Sequence, residues 1–160
     1  MHLSAWLFFL FGAYTLIMEE KEERIAYASE TIRELETLNA KLRNEDLRSC
    51  GNEVIRALRD LRDTQYLFDS GETQLIRLYE RYLPYYLDIL RQFVNLQDSA
   101  NYEAIQSNEN QLRNTMERMS ELIRRVTRTL PQDEIDDANA AAKAEEERRK
   151  LEEQRNNMIK

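Results

Sequence analysis

The hydrophobic positions of this 160-residue chain recur at steps of three and four over most of its length. Such steps place apolar side chains on one side of an α-helix, where other helices can bury them. Four segments show the pattern, at about residues 20–42, 44–68, 72–97 and 101–130. Because each stripe can be buried only by the others, the sequence predicts an all-α fold in which residues 20–130 form one antiparallel bundle of about four helices.

The predicted core consists of the large apolar residues at these steps, with Leu67 or Phe68 and Ile89 or Leu90 as further members. They are Ile25, Ala28, Ile32, Leu35, Leu38, Leu42, Leu47, Cys50, Val54, Leu58, Leu61, Leu75, Tyr79, Tyr82, Tyr86, Phe93, Leu96, Ile105, Leu112, Met116, Met119, Ile123, Val126 and Leu130.

The ends of the segments carry capping residues and a proline. Asn44 is a suitable N-cap for the second segment, and either Ser99 or Asn101 could cap the fourth, because their side-chain oxygens can accept from free helix N–H groups. Pro131 follows the last apolar residue of the fourth segment and is expected to close it.

Three residues interrupt the stripes. Gly51 lies inside the second segment, at the cost of about 1 kcal/mol relative to alanine, and indicates close approach of a neighbouring helix. Pro84 removes one backbone hydrogen bond and should kink or split the third segment near Leu83. Asn108 either specifies the register between helices or lies at a rim.

The N-terminal residues 3–18 contain no charge and are followed by the charged residues 19–24. As a helix this run would be roughly 24 Å long, slightly less than the bilayer core of about 30 Å. We expect residues 1–19 to form a membrane anchor, with Trp6 and Tyr14 suited to the interface. A signal peptide and a buried core helix are the alternatives.

The C-terminal residues 131–160 differ from the rest. Beyond an acidic stretch at 132–137 they are almost entirely Ala, Glu, Arg, Lys and Gln, with Leu151 as the single large apolar residue up to position 157. Helix propensity is high, but no stripe can be buried. The sequence predicts a charged helix or frayed tail outside the bundle.

Composition limits the possible chemistry. The chain has three glycines and two prolines, too few for a turn-rich β fold or a phosphate-binding loop, and its net charge of −7 opposes nucleic-acid binding. His2 is the only histidine, and Cys50, the only cysteine, is expected to be a small core residue in a reducing compartment. We therefore expect no catalytic, cofactor-binding or metal-binding residues.

Charged clusters have simple explanations. The adjacent carboxylates, such as Asp136 and Asp137, lie outside the stripes and lack the Glu-x-x-His repeat of a di-metal bundle. Arg124, Arg125 and Arg128 suit the end of a helix, where positive charge is favourable.

A tyrosine-rich turn surrounds Pro84 and is the most distinctive local feature. Tyr82 and Tyr86 belong to the stripe, where core packing with hydroxyls at the rim is the simplest interpretation, whereas Tyr85 falls outside it. We predict a partner contact formed by Tyr82, Pro84, Tyr85 and Tyr86, with Tyr85 the best candidate for exposure.

Three stretches resemble the XpaC-like family, named 5-bromo-4-chloroindolyl phosphate hydrolysis proteins. They are residues 44–50 (NEDLRSC), 81–90 (RYLPYYLDIL) and 110–130 (NQLRNTMERMSELIRRVTRTL). The resemblance covers about residues 25–130, and the proline turn is its most specific part. The charged C-terminus departs from the family, as does the single hydrophobic run at the N-terminus.

The resemblance implies hydrolysis of phosphate esters, as the family name suggests, and an association with toxic-anion resistance proteins or envelope stress. It supplies no catalytic residues that can be transferred to this chain. We expect a membrane-anchored helical scaffold or adaptor with a cytoplasmic bundle and a protein partner, such as a toxic-anion resistance protein, or a second copy. A phosphate-ester hydrolase is the alternative, and a sensor bundle would normally need a second membrane span.

Overall fold

The computed structural model of the protein describes residues 2–68 and 72–159, and the side chains of residues 2–20 and of residue 72 lie outside the described part. The described chain is all-helical, as predicted. The helices are α1 (His2–Ala40), α2 (Glu45–Leu67), α3 (Glu72–Arg77), α4 (Leu83–Leu96) and α5 (Tyr102–Ile159), with a π-helical turn at Leu78–Tyr82. The segments α3, π-helical turn and α4 follow one another without a gap and form the third helix of a four-helix bundle.

The core contains most of the predicted stripe residues. Leu47, Val54 and Leu58 of α2 are fully buried, as are Met116 and Ile123 of α5. Residues predicted for the core but only partly buried lie at its edge: Cys50, Leu96 and Ile105. Tyr82 is 39% exposed, so its assignment to the core was wrong.

The bundle is built from two antiparallel hairpins, α1 with α2 and the third helix with α5. These hairpins pack so that α2 lies against α5 and α1 against α4, and the α2–α5 contact is the most extensive in the molecule. The contact between α4 and α5 is much smaller. This difference leaves a seam between α4 and α5.

Neighbours from different hairpins run parallel. Asp46 faces Arg113 at 3.7 Å, and Glu53 faces Arg124 at 2.6 Å, so positions rise together along α2 and α5. The prediction of antiparallel neighbours therefore holds within each hairpin and is wrong between them. An apolar stripe defines which side of a helix is buried, but not the direction of the helix that covers it.

The predicted N-cap of α2 is confirmed. The Asn44 side chain accepts from the N–H groups of Asp46 and Leu47, at 2.9 and 3.3 Å. At the start of α5, Asn101 rather than Ser99 is the cap, because Asn101 Oδ1 accepts from the Ala104 N–H at 3.1 Å. Both caps satisfy donors that the first helical turn leaves free.

Close approach at Gly51 is also confirmed. A Cβ atom there would overlap Oδ1 of Asn39 on α1. The amide nitrogen of Asn39 is held in place by hydrogen bonds to the Arg48 carbonyl at 3.0 Å and to Asn52 Oδ1 at 2.8 Å. Glycine therefore allows α2 to bring its backbone against a fixed polar side chain of α1.

Pro131 does not end the fourth helix. It lies inside α5, which continues to Ile159, so the prediction that the helix closes at Pro131 was wrong. Proline removes one helical hydrogen bond but does not prevent helix on either side. From Ala138 onward most residues are strong helix formers. Beyond residue 135 every described side chain is exposed, so this extension of α5 lies outside the core.

The N-terminal part of α1 and the extension of α5 both leave the bundle at the same end, and we call them the two extensions. Tyr27 of α1 contacts Tyr79 of the π-helical turn, and Gln74 of α3 contacts Thr129 of α5. The backbone of α1 continues from there towards residue 2, and α5 towards residue 159. The opposite end holds the two hairpin connections.

Among the residues whose side chains the structure describes, no helix is long and apolar enough to cross a bilayer. The predicted anchor, residues 1–19, lies outside these residues.

Candidate functional site

The third helix changes its geometry directly before Pro84. The Leu83 N–H donates to the Leu78 carbonyl, five residues earlier, which widens one turn of the helix. Pro84 has no N–H, and in a regular α-helix its ring would crowd the carbonyl of Glu80. The wider turn accommodates the ring at the position where a kink or split was predicted, but the helix continues without separating into two.

The π-helical turn rests on a buried polar contact. The Tyr79 hydroxyl donates to Gln65 Oε1 at the end of α2, and the Tyr79 ring meets Tyr27 edge-on, with centroids 5.7 Å apart. Burial raises the pKa of Tyr79, although the hydrogen bond to Gln65 acts in the opposite direction. These two contacts of Tyr79 fix the π-helical turn to α1 and α2. The other side of the turn faces α5.

The structure separates the four residues of the predicted partner contact. Tyr85 is 69% exposed and Tyr82 is 39% exposed, whereas Pro84 is half-buried. Tyr86 is only 1% exposed and belongs to the core, where burial raises the pKa of its hydroxyl. Tyr86 is therefore removed from the predicted contact, because a buried ring cannot meet a partner.

A groove of about 460 Å³ runs along the seam between α4 and α5. Phe93 and Leu112 form its apolar floor, and its walls include Ile89, Leu96 and Asn108. Asn108 lies at the rim, where its side-chain nitrogen donates to the Ala104 carbonyl at 2.7 Å. The remaining lining residues are also uncharged.

Tyr85 continues one wall of this groove. Positions 85, 89, 92 and 96 follow one another at steps of four, three and four, which places them on one side of α4. The last three of these positions line the groove. The predicted exposed tyrosine and the groove therefore form one surface, which we call the seam groove.

A second groove, of about 510 Å³, lies on the other side of α5, against α2. It contains Cys50 together with Glu53, Glu117, Arg124 and Arg128. Burial, assisted by the charge of Glu117, raises the pKa of the Cys50 thiol. The thiol is therefore protonated near neutral pH, which suits packing rather than nucleophilic attack.

The acidic side chains in the described part of the chain do not form a metal site. Among those residues, no group of three or more His, Cys, Asp or Glu side chains is placed to hold a metal ion. The carboxylates instead form surface pairs with arginine, including Glu36 with Arg59 and Glu34 with Arg91. Asp136, one of the acids singled out in the sequence, accepts from Gln132 Nε2 at 2.9 Å.

The chain matches no known protein-family model, no curated protein and no solved structure.

Gln97 and Gln65 have fixed roles that were not identified from the sequence. Gln97 is buried at the end of the third helix, where its side chain accepts from the Arg43 N–H at 3.0 Å and donates to the Lys41 carbonyl at 3.0 Å. Gln65 is the buried acceptor for Tyr79. Glutamine is common on exposed helix faces, so nothing in the pattern distinguishes these two before the helices are assembled.

Proposed function

We propose that this protein is a membrane-anchored helical scaffold that binds a partner protein through the seam groove. The observation that carries the proposal is an apolar groove floor flanked by an exposed tyrosine. Phe93 and Leu112 supply that floor, and Tyr85 extends the wall. Tyrosine is enriched at protein interfaces because its ring buries a large area while its hydroxyl accepts a polar partner.

The partner segment that fits best is an amphipathic helix. A groove between two helices receives the apolar side of a third helix, whose side chains at steps of three and four enter it. The described lining of the seam groove consists of apolar, amide and hydroxyl side chains, without a charged residue. Its selectivity therefore rests on shape and hydrogen bonding with residues such as Gln92 and Asn108.

The anchor is assigned to residues 1–19, and we place the bundle on the cytoplasmic side. Support comes from the uncharged run at residues 3–18 and from the continuity of α1, which enters the core without a break at residues such as Ile25 and Ala28. A helix that is shared by the anchor and the bundle would hold the bundle close to the bilayer. The charged extension of α5 leaves from the same end and would then have to lie along the surface.

Membership of the XpaC-like family is part of the proposal and rests on the three stretches of resemblance, above all the proline turn. The resemblance makes a toxic-anion resistance protein a natural candidate for the partner. A homo-oligomer is the other arrangement through which the groove could be filled.

Site-specific photocrosslinking in intact cells tests the partner surface. A photoreactive amino acid at Tyr85 should give a defined adduct, whereas the same residue at the exposed Glu30 of α1 should not. The adduct should disappear in the double variant Ile89→Asn, Leu96→Asn if its thermal unfolding matches the parent protein. Equal adducts from both positions, or an adduct that persists in the double variant, would count against the seam groove.

Membrane extraction tests the anchor separately. The full chain should stay with the membrane fraction in alkaline carbonate, and deletion of residues 3–18 should release it. A full chain that is released by carbonate would contradict the anchor while leaving the partner surface untouched.

The competing function, hydrolysis of phosphate esters, is distinguished by direct assay. The scaffold proposal predicts no turnover of 5-bromo-4-chloroindolyl phosphate by the purified chain, with or without divalent metals. Turnover that a single bundle substitution abolishes would replace the scaffold with the hydrolase.

A further inference from the structure

Another pocket, separate from the two grooves, lies at the other end of the seam between the third helix and α5. It is close to the point where the two extensions leave the bundle. It encloses about 220 Å³. Its polar lining consists of Gln74, Arg77, Tyr82, Arg125 and Thr129. The two arginines are far apart in sequence and come together only because α3 and α5 are neighbours.

The electrostatic character of this pocket is opposite to that of the whole chain. The protein has a net charge of −7, yet the residues that the structure describes around this pocket include two guanidinium groups and no carboxylate. Arg77 makes no ion pair or hydrogen bond with any residue that the structure describes. Arg125 reaches Glu121 at 3.5 Å, but both side chains are more than 60% exposed, so water screens that pair.

The groove between α2 and α5 differs from this pocket in the charges that line it. It contains Arg124 and Arg128 together with three glutamates, and Arg124 is paired with Glu53 at 2.6 Å. Positive charge is therefore largely balanced within that groove. In the pocket beside Arg77 the described lining has no carboxylate, and Glu121, which approaches Arg125 at 3.5 Å, lines the groove between α2 and α5 instead.

Other donors reinforce the positive charge. The Thr129 hydroxyl lies 2.9 Å from Gln74 Oε1 and 2.7 Å from the Val126 carbonyl, so this residue brings a polar side chain of α3 against α5 at the pocket. The amide of Gln74 also lines the pocket and can donate hydrogen bonds. Tyr82 is the last residue of the π-helical turn and adds a hydroxyl. Single π-helical turns occur frequently at functional sites, and this turn supplies part of the wall.

The rest of the wall is apolar and consists of Leu78, Leu122 and Val126. We propose that the pocket binds an organic oxyanion, in which a carboxylate or phosphoryl group is attached to a small apolar body. Arg77 and Arg125 hold the oxygens, because guanidinium groups donate paired hydrogen bonds to such groups. The three apolar side chains contact the body. This site is independent of the seam groove and of any partner bound there.

Isothermal titration of the full chain in a non-ionic detergent tests the site with three probes: benzoate, phenylphosphonate and inorganic phosphate. Benzoate and phenylphosphonate should bind, and inorganic phosphate should bind more weakly because it lacks an apolar body. Arg77→Gln and Arg125→Gln should each weaken phenylphosphonate binding at least about tenfold, since each removes a charged hydrogen-bond donor.

The matched control is Arg81→Gln. Arg81 is exposed, lies one position before Tyr82 and does not line the pocket, so its loss changes the net charge equally. Its variant should bind phenylphosphonate within about twofold of the parent, as expected for a screened surface charge. An equal loss in the control, or no saturable binding of either aromatic probe, would overturn the proposal. Thermal unfolding of all three variants should match the parent, because the arginines are exposed.

Vesicles distinguish a lipid headgroup from a soluble ligand. With a headgroup, the preference of the chain for phosphatidic acid vesicles over phosphatidylcholine vesicles should fall in Arg77→Gln but not in Arg81→Gln, and phenylphosphonate should compete. With a soluble ligand, Arg77→Gln should alter only the binding of the small probes. If Arg77→Gln changes neither measurement more than Arg81→Gln does, the pocket is not an oxyanion site.

Discussion

The two halves of α5 have the same secondary structure but different environments. The helix is 58 residues long, and its first half ends at Leu130, which is fully buried. In that half, Met116 and Ile123 are also fully buried. In the second half the large apolar residues Ile135 and Leu151 are 54% and 66% exposed. One continuous helix is therefore a core element at one end and a solvated rod at the other.

This difference shows that helix formation and tertiary packing have different causes. The second half is helical because alanine, glutamate, arginine and lysine favour the conformation and because near neighbours pair, as Glu145 does with Arg148 at 2.6 Å. The first half is packed because its apolar residues recur at the helical step. Local propensity maintains a helix, but only a continuous apolar stripe places the helix in a core.

The strongest test of the comparison is to shorten one apolar side chain in each half of α5. Ile123→Ala should lower the free energy of unfolding by about 2–5 kcal/mol, because it leaves a cavity in a filled core. Leu151→Ala should change it by less than about 0.5 kcal/mol, because the side chain is already in water. Denaturant unfolding followed by circular dichroism gives both values. A comparable loss in the two variants would show that the extension also packs against something.

Pro131 lies where the two halves of α5 meet, and its replacement should make the helix more stable at that point. Pro131→Ala restores one helical hydrogen bond and removes the clash of the proline ring, and proline costs up to about 3 kcal/mol relative to alanine in a helix interior. Amides on both sides of position 131 should then exchange more slowly with deuterated solvent, whereas those around Leu112 should be unaffected. If exchange is unchanged, the two halves are already one cooperative unit.

Ser120 offers a smaller test within the packed half. Its hydroxyl is buried and makes no hydrogen bond with any described residue. Ser120→Ala should therefore raise the free energy of unfolding by about 1 kcal/mol, because a buried polar atom without a partner is removed. Ser107→Ala is the control, since the Ser107 hydroxyl is exposed and bonded to the Ala104 carbonyl at 3.2 Å. A Ser120 variant that is less stable than the parent would indicate a partner for this hydroxyl.

The smallest expected effect concerns the ion pairs of the extension. The pair of Glu146 with Lys150, at 3.5 Å and four residues apart, should contribute about 0.3–0.5 kcal/mol and weaken in salt. Backbone carbon chemical shifts measured in about 1 M salt should show a slight loss of helix in residues 138–159 and none in the bundle. An equal response in both regions would mean that salt acts on the whole fold.

Much of the architecture follows from the sequence. The steps of three and four in the apolar positions determined four amphipathic segments and most of the core, from Ile25 to Leu130. The same reasoning identified Asn44 as a cap, Gly51 as a point of close approach and the C-terminal region as lying outside the core. These features are local, because each depends on a few residues close together along one helix.

Tertiary structure decided the rest. A stripe specifies which side of a helix is buried but not which helix covers it, so the parallel contact of α2 with α5 and the open seam beside α4 could not be read from the pattern. The exposure of Tyr82 and the placement of Arg77 and Arg125 around one pocket depend on that arrangement. Apolar surfaces of similar size and shape stabilise the fold by similar amounts when they are buried. Only the assembled bundle therefore shows which of them remain uncovered.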